Sequence, residues 1–285
     1  MYKLGIDIGI SNIGLGIYDS NKKKLIKKKY IPYKSPSKIF NIVFNKIITR
    51  RYINFIIKKI DNFIEGYKIE YIGISCPGAV DTKENIFFGS KELVVGKINF
   101  QTELKKYKCK IHIENTCNCA AIGEALENDF KSFLMITINT EIGFSIVKKT
   151  RKRIILAKDE IICKILKINK KPNTKDCKYI KSFKNISDIY NKRYKKKLPQ
   201  EAIFDDIKNN KDIIDKYIAD FSTGINLINE EIKIKNICIG GSFSLYKRHY
   251  LVKLQKKLEQ HNIFVAKKYN DSGIIGALNL PIKKY

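Results

Sequence analysis

Two short turns in this sequence combine glycine with polar side chains in a way that suits phosphate binding. The first follows an apolar strand and contains Asp7, Gly9, Ser11 and Asn12, and the second spans residues 139–143. Each turn leads through Ile-Gly into another apolar strand, so the two segments are imperfect copies of one pattern. Such turns leave backbone N–H groups available to hold phosphate. The repetition predicts duplicated α/β domains facing one phosphate-binding cleft, and two ordinary hairpins are the alternative.

The first turn offers a metal ligand as well as phosphate contacts. Asp7 ends its strand beside the turn, where its carboxylate could hold Mg²⁺ through water, because magnesium favours one or two carboxylates. Ser11 and Asn12 could bind phosphate through hydroxyl, amide and backbone N–H groups. The alternative for Asp7 is a solvated carboxylate at a strand end.

The second turn and a later glycine pair complete the candidate nucleotide site. Thr140 and Gly143 would contact phosphate from the second turn. Gly240 and Gly241 close the strand NICIG and would let adenosine lie against the backbone, although such a pair is also typical of a simple turn. We expect Asp7 and these residues to surround one ligand-sized space.

Charge and cysteine content narrow the class of protein. The formal net charge of +28 favours nucleic acid as a partner. However, the lysines are scattered along a chain that is rich in Ile, Asn and Lys, and no nucleic-acid-binding motif accompanies them, so we predict no specific nucleic-acid partner. The seven cysteines lie mostly in apolar segments, and we find neither a signal peptide nor an apolar run of about 18 residues. A cytoplasmic protein with free thiols and no membrane contact is predicted.

Strands alternate with helices along both halves of the chain. In the first half we predict a β-meander over 3–33, a helix that begins at Ser35-Pro36 and ends at Gly66, strands over 71–78 and 109–114, and a helix after Asn115. The second half restarts with three strands and continues with an irregular insert over 164–185. Helices over 201–232 and 243–260, a strand at 235–241 between them, and a final helix over 271–280 follow. This order predicts a mixed, largely parallel sheet in each half.

Seven segments, in this order, resemble the ROK family (repressor, open reading frame, kinase), a branch of the actin-like sugar kinases. They are LGIDIGISNIGLGIYD, GISCPGAVD, HIENTCNCAAIGEA, INTEIGFSIV, ADFSTGINLIN, ICIGGSFS and SGIIGAL. The resemblance implies an α/β fold of two actin-like (ribonuclease H-like) domains with a central interdomain cleft. We place the N-terminal domain at 1–114 plus 273–285 and the C-terminal domain at 115–272. It also implies a kinase-length homodimer that uses ATP and Mg²⁺ to phosphorylate a hexose or N-acyl amino sugar.

The sugar side departs from the family pattern, which has Asn-Asp where this chain has Asn115-Thr116. In the family that Asp is the general base, and a threonine hydroxyl cannot accept a proton near neutral pH as a carboxylate can. The neighbouring Glu114 is a poor substitute, because strand alternation turns its side chain to the opposite face. Asn115 remains as a predicted sugar contact.

Three further departures affect phosphate and metal. Glu141 lies in the second turn, where its charge would repel polyphosphate, and Ile10 replaces a usual glycine in the first. In the family's sugar- and zinc-binding element only Glu160 survives, as a predicted sugar contact. Cys163 and Cys177 are all that remain of a zinc site, which needs four ligands, so no zinc is expected.

These departures leave three hypotheses. The first is a sugar kinase with a degraded site and weak or lost activity. The second is a pseudokinase that acts as a non-catalytic nucleotide or sugar sensor. The third is a basic protein that has moved to nucleic-acid binding.

Overall fold

The computed structural model describes residues 1–33, 41–90, 93, 95–151, 153–157, 160–166, 179–199, 202–206, 211–268, 271–281 and 283–284. For residues 41–45, 160–161, 205, 211 and 283–284 it describes the backbone alone. The predicted helix start at Ser35-Pro36 and most of the predicted insert lie outside these residues.

Strands and helices alternate along the chain. The first half contains β1 (Tyr2–Ile8), β2 (Asn12–Asp19), β3 (Lys24–Pro32), α1 (Asn41–Ile64), β4 (Ile69–Cys76), β5 (Val80–Asp81), β6 (Ile86–Phe87), β7 (Ile98–Asn99), α2 (Phe100–Glu103), a 3-10 turn (Lys105–Tyr107), β8 (Lys110–Asn115) and α3 (Thr116–Glu127). The second contains β9 (Ser132–Ile138), β10 (Ile142–Lys149), β11 (Ile154–Ala157), α4 (Glu160–Ile165), α5 (Phe183–Tyr194), α6 (Ile203–Asp206), α7 (Lys211–Ile232), β12 (Asn236–Gly240), a 3-10 segment (Ser242–His249), α8 (Leu251–Lys257), β13 (Asn262–Val265), α9 (Asp271–Ala277) and β14 (Lys283–Lys284).

The chain forms two compact units, each built on its own mixed sheet. The first unit, Met1–Leu126 with Asn270–Ile282, has the sheet order β3-β2-β1-β4-β8. The second, Glu127–Tyr269 with Lys283–Tyr285, has the order β13-β12-β9-β10-β11-β14. In each, an antiparallel three-stranded meander is extended by two parallel strands beside its first strand. The duplicated α/β architecture expected from the two turns is therefore confirmed.

Close backbone packing explains why the C-terminal helix α9 returns to the first sheet. One face of β1 and β2 buries alternating Leu and Ile side chains, whereas the other carries glycines. A side chain at Gly5 would lie 2.8 Å from the carbonyl oxygen of Ile274, and one at Gly73 would lie 1.8 Å from that of Ala277. The face of the sheet that carries these glycines is thus occupied by α9.

The sequence analysis placed the domain boundary after residue 114, whereas the structure divides the chain after Leu126. Helix α3 belongs to the first unit because it packs on α9. Glu124 accepts a hydrogen bond of 2.6 Å from the Ser272 hydroxyl, and a side chain at Gly276 would lie 1.8 Å from the carbonyl oxygen of Cys119.

The single helix predicted over 243–260 is wrong in its first half, where the chain forms a 3-10 segment before α8. Aromatic packing accounts for the difference. Phe243 stacks on Tyr250 with ring centroids 4.3 Å apart, and Tyr246, which has non-helical backbone angles, stacks on Phe204 at 4.6 Å. The gain from burying these rings exceeds the local helical preference.

Candidate functional site

The first turn presents polar groups to solvent beside Asp7. Gly9 N–H donates to the Asn12 carbonyl at 2.9 Å, and the carbonyl of Ser11 accepts from Tyr33 N–H at 2.9 Å. The side chains of Ser11 and Asn12 are exposed. The turn therefore holds its shape through backbone bonds and leaves these two side chains available to a ligand.

Asp7 is a half-buried carboxylate at the carboxyl end of β1. It accepts a hydrogen bond from the Ser75 hydroxyl at the end of β4, and Gly273 of α9 approaches so closely that a Cβ there would lie 2.5 Å from the carboxylate. Burial raises the pKa of Asp7 to about 6, and the Ser75 hydrogen bond opposes this only in part. Among the described residues no cation pairs with Asp7, so a divalent cation would supply the missing positive charge.

Ser75 links Asp7 to Thr116, which lies where the resemblance to the ROK family implies a general base. The Ser75 hydroxyl lies 3.3 Å from that of Thr116, the first residue of α3. Three side chains from β1, β4 and α3 therefore meet at the carboxyl ends of parallel strands. In open α/β sheets this is the edge at which ligands bind.

Asn115 is already engaged in holding the local backbone. Its Oδ1 accepts from Cys117 N–H at 2.8 Å, and its Nδ2 donates to the carbonyl of Gly78 at 2.7 Å. An amide has two acceptor lone pairs and two donor hydrogens, so one of each is left for a sugar hydroxyl. Glu114 is buried and accepts from Asn115 N–H and from Asn118, which agrees with its exclusion as a replacement base.

The second unit gathers its own candidate residues around Asn139. Asn139 N–H donates to the carbonyl of Glu141 at 2.9 Å, which closes the turn, and its Oδ1 accepts from Ser242 N–H at 2.7 Å. Gly241 has a φ of +80°, and a Cβ there would lie 2.7 Å from the Asn139 Oδ1. The turn that carries Thr140 is thus joined to the end of β12, where Gly240 and Gly241 lie. Gly143 is the second residue of β10, and its carbonyl accepts a hydrogen bond of 3.5 Å from Thr137.

Two predictions of ligand residues have no structural test. The side chain of Glu160, the first residue of α4, and all of Cys177 lie outside what the structure describes. Within the described residues no group of three or more His, Cys, Asp or Glu side chains could hold a metal ion. The expected absence of zinc, like the convergence of Asp7 and Ser11 with Thr140, Gly143 and Gly240, stays a prediction.

The sequence analysis assigned no role to three residues that shape the candidate sites of the two units. Ser75 and Asn139 make the hydrogen bonds that join separate elements, and Gly273 leaves room for the Asp7 carboxylate. A signal was available for Ser75, which is the one polar side chain at the end of the apolar strand YIGISC. For Gly273 there was none, because its role depends on contacts about 270 residues apart along the chain.

Comparison with known proteins identifies the family. The model of the ROK family matches residues 3–154. The chain belongs to the ROK family. This match covers more than half of the sequence, including both turns and Asn115-Thr116. The search of curated proteins finds none that matches the chain.

Solved structures of ROK proteins share the two-domain, actin-like fold. A ROK family protein from Streptococcus pneumoniae TIGR4, in complex with sucrose, has a TM-score of 0.74 at 18% identity over 98% of this chain and 96% of its own. A ROK family glucokinase from Streptomyces griseus, with glucose and AMPPNP, has 0.65 at 14% identity over 98% of each chain. A ROK family transcriptional regulator, a homologue of the E. coli MLC protein, has 0.72 at 14% over 97% of this chain and 76% of its own.

The structural similarity establishes the fold, but at 14–18% sequence identity it does not establish the reaction. The similar structures include a kinase and a transcriptional regulator, so the fold serves more than one function. The described part of this ROK chain contains no helix that is long and apolar enough to cross a membrane.

Proposed function

We propose that this ROK protein binds Mg²⁺-ATP and a hexose or N-acyl amino sugar and that it transfers phosphate slowly or not at all. The observation that supports the proposal is the group Asp7, Ser75 and Thr116 at one edge of the first sheet. Asp7, the carboxylate that would bind the metal ion, is retained. Thr116, however, has a hydroxyl where a proton-accepting carboxylate is needed.

The residues present fit a magnesium-nucleotide. The Asp7 carboxylate lacks a cationic partner among the described residues and would hold the ion through water, and Ser11 and Asn12 would contact phosphate. When bound, Mg²⁺ neutralises charge on the transferred phosphoryl group. Thr140 and Gly143, with Gly240 and Gly241 at the adenosine, are proposed to act on the same nucleotide.

The sugar side supports positioning more than proton transfer. Asn115 can still give one N–H and one lone pair to a sugar hydroxyl, and the Thr116 hydroxyl can orient that hydroxyl. Neither side chain accepts its proton near neutral pH, and general-base assistance typically contributes about 10²–10⁴-fold in rate. Glu160 is proposed as a further sugar contact.

The test restores the missing carboxylate. We expect Thr116→Asp to raise the rate of sugar-dependent ADP release by about 10²–10⁴-fold over the native protein, measured in a coupled assay with a hexose panel. Asp is well tolerated in the first turn of a helix. Thr102→Asp, an exposed threonine in the first turn of α2, is the matched control and should change nothing. Turnover of about 1–100 s⁻¹ by the native protein, with no gain from Thr116→Asp, would show that the site has been misread.

The second candidate function is a non-catalytic sensor of nucleotide or sugar. It is favoured by the engagement of Asn115 in capping α3 and tying down the Gly78 turn, which suits a rigid binding site. Thermal-shift measurements with ATP-Mg²⁺ and sugars, combined with the activity of Thr116→Asp, distinguish a slow kinase from a sensor. A ligand-induced rise in Tm, with Thr116→Asp still inactive, supports the sensor.

The assembly proposed from the family is a homodimer in the cytoplasm. Light scattering coupled to size-exclusion chromatography tests the dimer directly.

A further inference from the structure

A second groove lies within the first unit, at the opposite end of its sheet from Asp7. It has a volume of about 1120 Å³ and is lined by the ends of α1 and the 3-10 turn, the starts of β4 and β8, and the side chains of Asn85 and Gln101. Along β4 it lies six residues from Ser75, a separation of about 20 Å at 3.3 Å per residue. The groove is therefore separate from the candidate kinase site.

The polar wall of this groove contains an unsatisfied acceptor. Asn85 is 9% exposed, and its Oδ1 is buried without a hydrogen-bond partner among the described residues. Its Nδ2 donates to Gln101 Oε1 through one long bond of 3.3 Å, and the Gln101 side chain is exposed, so it can turn aside. Buried polar atoms are nearly always paired in native proteins, and a ligand O–H group would satisfy this one.

The rim of the groove is positively charged. Lys68, Lys108 and Lys110 are exposed, and none of them forms an ion pair with a described residue. Glu70 is the one carboxylate among the lining residues, which leaves an excess of two positive charges. By contrast, the nearby Lys106 is paired with Asp61 at 2.6 Å. An anionic group on the ligand would find compact ammonium partners here.

Half-buried rings complete the lining. Tyr67, Tyr107 and His112 contribute flat apolar surface, and burial lowers the pKa of His112, which keeps its imidazole neutral at pH 7. Neutral rings of this kind pack against the C–H face of a sugar, whereas an anion alone would gain nothing from them.

We propose that this groove binds a phosphorylated sugar, with its phosphate on the lysine rim and a hydroxyl on Asn85. Hydroxyl groups, an apolar face and a dianion in one small molecule match the acceptor, the rings and the lysines together. This proposal concerns binding alone and does not depend on any phosphotransfer by the chain.

The test is isothermal titration with glucose 6-phosphate, run beside glucose and inorganic phosphate. We expect saturable binding of glucose 6-phosphate and at least about tenfold weaker binding of inorganic phosphate, which lacks the contacts of the sugar. Any binding of glucose, which the proposed function places at Asn115, should not depend on the lysines of the groove. Equal binding of inorganic phosphate would identify an adventitious anion site only and would overturn the proposal, as would the absence of glucose 6-phosphate binding.

Variants then locate the bound molecule. Lys68→Gln with Lys110→Gln should weaken binding of glucose 6-phosphate by at least about tenfold, since two charged contacts are lost. Lys29→Gln with Lys58→Gln, two exposed lysines of the same unit outside the groove, makes the same charge change and should have little effect. Thr116→Val should leave binding intact. Loss of binding with Thr116→Val but not with the groove variants would place the ligand in the kinase site and refute the proposal.

Discussion

At the scale of single residues, Asp7, the carboxylate proposed to hold a metal ion, lies in a surrounding that disfavours its charge. Burial raises the pKa of Asp7 from 3.8 to about 6, and no described cation offsets this. Without a ligand the ionised carboxylate therefore destabilises the folded state at neutral pH. The proposed metal binding and the stability of the ligand-free protein therefore make opposite demands on Asp7.

We expect Asp7→Asn to raise the Tm of the ligand-free protein and to abolish the further rise produced by ATP-Mg²⁺. A raised folded-state pKa means that the folded protein binds more protons than the unfolded chain between about pH 3.8 and 6. The gain from Asp7→Asn should thus be largest above pH 6 and vanish towards pH 4. Differential scanning fluorimetry across this range measures it, and Ser75→Ala is a control that removes the hydrogen bond but keeps the charge. A lower Tm for Asp7→Asn at pH 7 would contradict the reasoning.

His261 is a second residue whose surroundings predict a measurable effect. It is 7% exposed, both ring nitrogens are buried without a partner among the described residues, and desolvation lowers its pKa from 6.5. Because the unfolded chain takes up the proton first, its contribution to stability is present above about pH 6.5 and declines as the pH falls below it.

Replacing His261 by Phe should therefore raise the free energy of unfolding by roughly 1 kcal/mol at pH 7, by removing unpaired polar atoms. The gain should grow as the pH falls from 7 to 5. Urea denaturation at both values provides the measurement. An equal effect at pH 7 and pH 5 would mean that the imidazole does not titrate in this range.

At the scale of elements, close backbone contacts hold α9 on the first sheet. Gly73→Ala would place a methyl group 1.8 Å from the carbonyl oxygen of Ala277, so strand and helix must separate. We expect a loss of about 1–3 kcal/mol in the free energy of unfolding, typical of overpacking. Gly66→Ala is the control: its φ is +82° but it has nothing within 4 Å, so conformational strain alone acts there, at about 1 kcal/mol. A Gly73→Ala variant as stable as the control would show that the helix yields easily.

The strands and the duplication could be predicted because both follow from the local alternation of apolar residues in the sequence. Leu4, Ile6 and Ile8 alternate with residues of the opposite face, and the same alternation recurs after the second turn. The 3-10 segment and the place of α3 could not be predicted in this way. They depend on Phe243 stacking on Tyr250 and on Gly276 touching Cys119, contacts between residues that local pattern does not relate.

The candidate site also contains residues that local sequence predicts and one that only the tertiary structure reveals. Asp7, Ser11, Asn12 and Thr116 were visible as residue types at strand ends. Ser75, which joins Asp7 to Thr116, became evident only when β1 and β4 were seen to pair in parallel with Asp7 opposite Ser75. The sequence thus identified the side chains that could take part in chemistry. The pairing register of β1 and β4 identified Ser75, which connects Asp7 to Thr116.

At the scale of the whole molecule, the net charge of +28 is the dominant electrostatic feature. The chain has 56 basic and 28 acidic residues. The basic residues are spread over the sequence rather than gathered in one block. Like charges distributed in this way repel one another in the compact state more than in the expanded chain. The fold must therefore offset a repulsion that salt can screen.

We expect the Tm of the chain to rise as NaCl is increased from about 0.01 to 0.15 M, because the Debye length falls from roughly 30 to 8 Å over that interval. Ion pairs such as Lys106–Asp61 and Arg50–Glu103 weaken in the same interval, but exposed pairs contribute little, so the repulsive term should prevail. Sucrose at equal osmolality is the control, since it strengthens burial without screening charge. If the Tm falls with NaCl, attractive pairs outweigh the net repulsion, and the basic surface is better balanced than its composition indicates. The same screening should abolish any binding of nucleic acid as NaCl is increased, irrespective of base sequence. Scattered lysines neutralise phosphates without contacting specific bases.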